Sequence, residues 1–126
     1  MTTPRRIHLH KKSKVLELEY SDGTFRLSAE YLRVHSPSAQ VRGHGKGNEV
    51  LQTGKLNVGI LDVEAAGNYA LRIVFDDGHD SGIYSWDYLY DLARNEGRYW
   101  QAYLDRLEAE GLSRDPHTSV VHFIKP

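Results

Sequence analysis

Polar and apolar residues alternate strictly along Val15-Leu-Glu-Leu-Glu-Tyr20, placing Leu16, Leu18 and Tyr20 on one face and Glu17 and Glu19 on the other. Strand side chains point alternately to opposite faces, so this pattern predicts a half-buried strand. Asp22-Gly23 follows, a strong hairpin signal because both turn positions favour positive φ. Phe25-Arg-Leu27 then predicts the returning strand, and Ser28 is placed to cap a short helix with Glu30 near its positive end.

The same order of signals returns further on. Tyr69, Leu71, Ile73 and Phe75 share one face of a strand, Asp77-Gly78 is a turn, Ile83-Tyr84 returns, and Ser85 caps a helix opened by Trp86. Tyr20-Ser-Asp22-Gly23 lies 55 residues before Phe75-Asp-Asp77-Gly78, and Ser28-Ala-Glu-Tyr31-Leu32 lies 57 before Ser85-Trp-Asp-Tyr88-Leu89. This predicts an internal duplication with two extra residues in the second turn region. The expected fold is α+β: duplicated antiparallel β-hairpin–helix units forming a small sheet, packed by C-terminal helices. Strands are expected near 6–10, 15–20, 24–28, 57–63, 69–75 and 80–84. Helices are expected near 28–34, 86–95 and 97–110, the last ending at Gly111. Trp86, Leu89, Tyr99 and Tyr103 are expected on the sheet face. Residues 36–55 are polar, with glycine at 43, 45 and 47, and are expected to be a long mobile or functional loop. Residues 1–112 are read as one domain and 113–126 as a loose tail, with 119–124 as a candidate edge strand.

Composition narrows the function. The chain has 126 residues, 16 Lys+Arg against 17 Asp+Glu, and a formal net charge of -1. A balance this even gives no general drive towards DNA or an acidic membrane. No apolar run approaches the roughly 18 residues of a spanning helix, and the first residues lack the apolar region of a signal peptide. The expectation is a cytoplasmic protein with neither nucleic acid nor membrane as partner. There are no cysteines, which excludes disulfides, thiolate metal ligands and thiol nucleophiles. Gly43-His-Gly-Lys-Gly47 lacks the spacing of a phosphate loop, since neither Lys46 nor Gly47 is followed by a hydroxyl residue. The basic residues Lys11, Lys12 and Lys14 read as a solvated strand edge.

Seven histidines remain as candidate chemistry. Asp77-Gly78 suffices for the second hairpin turn, so turn chemistry does not account for His79. It is a candidate metal ligand or hydrogen-bonding anchor, with Asp76, Asp77 and Asp80 nearby as oxygen donors; the alternative is a solvated turn histidine. His35 and His44 bracket the glycine-rich segment and, with His79, form a candidate nitrogen-rich site for an ion such as zinc or iron; the alternative is two solvated loop histidines.

The run Gly67-Asn-Tyr-Ala-Leu-Arg-Ile-Val-Phe-Asp-Asp-Gly-His-Asp-Ser-Gly-Ile-Tyr-Ser-Trp-Asp-Tyr-Leu89 resembles the signature of the gamma-butyrobetaine hydroxylase-like N-terminal domain family. Tyr20-Ser-Asp-Gly23, Leu32-Arg-Val-His-Ser-Pro-Ser-Ala39 and Gly43-His-Gly45 resemble its stand-alone bacterial branch, a domain of unknown function. The resemblance spans roughly residues 6 to 95 and implies a small α+β module. In this family the module fronts iron-dependent dioxygenases and is fused to some P-loop ATPases that carry iron–sulfur clusters. In the dioxygenases it holds zinc through three cysteines and one histidine. His79 matches that histidine. The cysteines follow a Leu-Arg pair matching Leu32-Arg33, and Ser36 and Ser38 stand near the cysteine-bearing segment. Neutral hydroxyls are poor zinc ligands, so the resemblance does not carry the zinc site over intact. The oxygenase chemistry belongs to a separate double-stranded β-helix domain.

The function expected is a non-enzymatic accessory module that binds a partner protein and takes a zinc or iron ion at His79, in the setting of iron–sulfur or iron-enzyme metabolism. Two alternatives stand beside it. One is a small metalloenzyme using His79, His35 or His44 and a carboxylate of the Asp76–Asp80 turn. The other is a purely structural domain.

Overall fold

A computed structural model describes residues 2–43 and 49–117. The first unit is an antiparallel three-stranded sheet, β1 (Arg6–His10), β2 (Val15–Tyr20) and β3 (Gly23–Ser28), followed by α1 (Ala29–Val34). The second is β4 (Ile60–Ala66), β5 (Ala70–Phe75) and β6 (Ile83–Ser85), followed by α3 (Trp86–Arg94). Between the units lies α2 (Ala39–Arg42), and α4 (Glu96–Ala109) closes the helical layer. Leu16 pairs with Leu27 and Leu18 with Phe25 across the first hairpin; Leu71 pairs with Tyr84 across the second. One core joins both sheets, with Leu16, Leu18, Leu27, Ile73, Tyr84 and Leu89 fully buried. A smaller cluster of Val34, Tyr103 and Leu107 seats α4.

The duplication is visible in hydrogen bonds as well as topology. Ser28 accepts the amide of Tyr31 at 3.0 Å and Ser85 that of Tyr88 at 3.1 Å, capping α1 and α3 in the same way. The last carbonyls of a helix lack intrahelical partners. Here each helix finds one in the other unit: the Tyr31 phenol donates to the Leu92 carbonyl at 2.7 Å, and the Tyr88 phenol to that of His35 at 2.5 Å. The hairpin turns are exchanged likewise. Asp22 accepts from Tyr90 of the second unit at 2.5 Å, and Asp77 from Arg33 of the first at 2.9 Å. Both pairs relate equivalent positions of the repeat, so the two units face each other about an approximate two-fold axis.

Three expectations change. The middle strand lies at Ile60–Ala66 rather than 57–63, because Lys55–Val58 form a turn and the Gly59 amide donates to Asp76. Segment 36–55 is not structureless throughout: Ser38 caps α2, and Val41 is buried. Its residues 44–48 lie outside the described residues, as do 118–126 with the candidate edge strand. The segment expected to be loose starts docked. The Gly54 amide donates to the Ser113 carbonyl, and Arg114 makes two bonds of 2.7 Å to Glu30 while lying over Trp100. Trp86 packs against the core as expected, half-buried, with its indole N–H donating to the Asn68 carbonyl. Gly111, at φ 65°, ends the α4 region as expected.

Candidate functional site

The end of α1 meets the loop between β5 and β6. His79 is buried there at 5% exposure, beside the Phe75 ring, and its Nε2 shares a hydrogen bond of 2.8 Å with the Ser36 hydroxyl. Its backbone is fixed as well: its N–H donates to Asp77 and its carbonyl accepts the Phe75 amide. Burial, helped by the Arg33 charge, holds the imidazole pKa below its ordinary value, so the neutral form is favoured. Ser38 and Ser81 share a second bond of 2.8 Å beside it. Asp77 is the anchor below. Burial alone would raise its pKa, but Lys55, the His79 amide and Arg33 bring it down to about 2.

Ser36 and His79 have the pairing of a nucleophile and its base. The arrangement does not serve that chemistry. Ser36 is 1% exposed, and Gly82 packs against its hydroxyl so closely that a Cβ there would lie 2.5 Å away.

His35 lies elsewhere. Its Nδ1 bonds the Tyr31 carbonyl at 2.8 Å, its ring rests among Tyr31, Tyr99 and Tyr103, and burial lowers its pKa. It contributes to the wall of a groove of about 910 Å³ running between the α1–α2 segment and α3–α4. Val34, Val41 and Leu51 give the groove apolar walls, Tyr88, Tyr99 and Tyr103 give it aromatic ones, and Arg42 and Arg106 bring positive charge. Arg42 lies over the Tyr88 ring at 4.7 Å, a cation–π contact that holds the guanidinium at the groove. The Tyr103 phenol is tied to the Gln52 carbonyl and that of Tyr88 to His35, so their rings are fixed. His44 lies outside the described residues. His35 and His79 therefore face different surroundings, and among the described residues no three His, Cys, Asp or Glu side chains are grouped to hold an ion.

The groove was not legible in the sequence. The spacing of Tyr103 marks it only as packing, and nothing local marks Arg42 or Arg106, which come together only through the helices that carry them.

Comparison with known proteins now places the chain. The model of the gamma-butyrobetaine hydroxylase-like N-terminal domain matches residues 7–90. The chain belongs to this family. Solved structures similar to this member of the gamma-butyrobetaine hydroxylase-like N-terminal domain family share its fold. A protein structure solved in solution by NMR is 58% identical, with a TM-score of 0.83 and 94% of each chain covered. A second NMR structure is 49% identical, with a TM-score of 0.76, covering 94% of this chain and 89% of the other. The crystal structure of a DUF971-family protein of unknown function from Acidithiobacillus ferrooxidans is 39% identical, with a TM-score of 0.60, covering 73% of this chain and 93% of the other. No curated protein matches. Among the described residues no helix is long and apolar enough to cross a membrane.

The resemblance to the zinc-bearing modules is tested by the donors present. At the position of the family histidine, His79 Nε2 already bonds Ser36, the Ser38 and Ser81 hydroxyls lie beside it, and the nearby Asp77 carboxylate is taken up by Arg33, Lys55 and the His79 amide. Zinc sites are built from thiolate, imidazole and carboxylate donors. The residues present do not fit that ion.

Proposed function

We propose that the chain is a non-enzymatic accessory module that binds a partner protein in the groove between the α1–α2 segment and α3–α4. The observation that carries this reading is the groove: its volume falls within the range of ligand sites, and its walls combine aromatic rings with two arginines. Aromatic side chains and arginine are the residues that dominate binding energy at protein interfaces. The groove is suited to an extended segment whose apolar side chains meet Val41, Leu51 and Tyr99 and whose carboxylate meets Arg42 or Arg106. The family's place in front of iron-dependent dioxygenases and on cluster-carrying ATPases supports a partner among iron enzymes.

Selection from a displayed library of random peptides tests the reading. Enriched peptides are expected to combine an apolar or aromatic residue with Asp or Glu. Their binding is expected to be lost in Ala102→Trp, which fills the groove from the exposed side of α4, and weakened in Arg42→Glu. Absence of enrichment, or binding unaffected by Ala102→Trp, overturns it.

A further inference from the structure

In the first unit Asp22-Gly23 leads straight into β3, whereas His79–Gly82 separate Gly78 from β6 in the second. This longer stretch is where the approximate symmetry fails, and its side chains are engaged. His79 bonds Ser36 and Ser81 bonds Ser38, each across 43 residues, so the two segments lie side by side in the same direction. The Ser38 amide donates to the Ser36 hydroxyl, and the Ser38 hydroxyl accepts the Gln40 amide as the cap of α2. Gly82 completes the fit, since any Cβ there would displace the Ser36 hydroxyl.

We infer that this hydroxyl–imidazole clasp takes the place of a metal tether: it binds the α1–α2 segment to the β5–β6 loop by hydrogen bonds alone, and the fold is complete without an ion. Two observations support it. A serine hydroxyl carries one donor and two acceptor lone pairs, so it can satisfy both a ring nitrogen and an amide; the buried Ser36 does so. The separation also fits direct bonding. An ion held at zinc–ligand distances in tetrahedral geometry would keep two such donors roughly 3.4 Å apart, whereas Ser36 Oγ and His79 Nε2 are 2.8 Å apart.

The test uses the full chain purified without chelator. Metal content is measured, zinc chloride and ferrous sulfate are titrated calorimetrically into wild type and His79→Ala, and melting is followed with and without excess EDTA. The expected results are an unchanged melting midpoint in EDTA and no ion uptake that depends on His79. Uptake unchanged in His79→Ala belongs to other histidines and upholds the inference. Ser36→Ala is expected to lower the midpoint by several degrees, and Ser81→Ala, at the exposed end of the clasp, by less. Stoichiometric metal abolished by His79→Ala, or a midpoint that falls in EDTA, overturns the inference. So does a Ser36→Ala protein that melts like wild type. If Ser36→Ala does not fold, the wild-type measurements decide.

Discussion

Replacing Tyr31 by Phe removes one oxygen from the bond that closes α3 with a phenol from the first unit. The ring stays, so packing is preserved, but the Leu92 carbonyl loses its donor. Tyr31 is 1% exposed and Leu92 also 1%, so water does not readily replace the hydroxyl. A typical intramolecular hydrogen bond contributes about 0.5–1.5 kcal/mol net, and a buried group left unsatisfied costs about 1–3 kcal/mol. Tyr31→Phe is therefore expected to destabilise by about 2 kcal/mol. The half-buried Tyr88 makes the reciprocal bond, and Tyr88→Phe is expected to cost about 1 kcal/mol because solvent reaches its end of the interface. Urea unfolding is the assay. With a slope of about 1–3 kcal/mol/M, the Tyr31→Phe midpoint should fall by about 1 M at unchanged slope. Tyr69→Phe is the control, since Tyr69 is 63% exposed, and it should match wild type. If Tyr31→Phe also unfolds at the wild-type midpoint, the exchanged phenols do not hold the two units together and the reasoning fails.

Other outcomes follow from the same contacts. The Asp77 pKa lies near 2 in the folded protein, against about 3.9 unfolded. Its stabilising contribution is therefore present above about pH 4 and lost as pH falls towards 2; acid melting curves should show this loss in wild type and not in Asp77→Asn. Gly82→Ala forces a methyl against the Ser36 hydroxyl and should destabilise by about 1–3 kcal/mol in chemical denaturation, and a neutral result would mean that the loop shifts freely. Arg114→Ala strands the Glu30 carboxylate, whose side chain is 8% exposed, and should cost about 1.5–3 kcal/mol. Wild-type stability in that variant would show that residues 113–117 are not firmly docked.

The legible parts of the fold were those where side-chain period and capping agree. The alternation of Leu16, Leu18 and Tyr20 places β2 at its observed ends, and Ser28 and Ser85 mark helix starts that both structure and sequence share. β4 was displaced because its polarity does not alternate cleanly: Asp62 and Glu64 are exposed, Ala65 and Ala66 give no strong signal, and the pairing with β5 carries an irregularity between Ile60 and Asp62. α2 is not legible in the sequence, since four residues with a single buried apolar side chain, Val41, leave no period to read. His79 was marked by what the turn did not require of it, but its partner Ser36 was visible only as the wrong element for a metal. The groove draws its residues from helices far apart in the chain, and no local pattern announces such a meeting.

The exchange of phenols and turn carboxylates bears on how the protein opens. A helix with a C-terminal carbonyl bonded by a phenol of the opposite unit cannot fray without disturbing that unit's own tyrosine. Local fluctuations in either half are thereby transmitted to the other, and the two halves behave as one cooperative foldon. Amide hydrogens of α1 and α3 should exchange through the same opening event, with equal free energies and equal sensitivity to denaturant, although each helix by itself is short enough to be marginal in water.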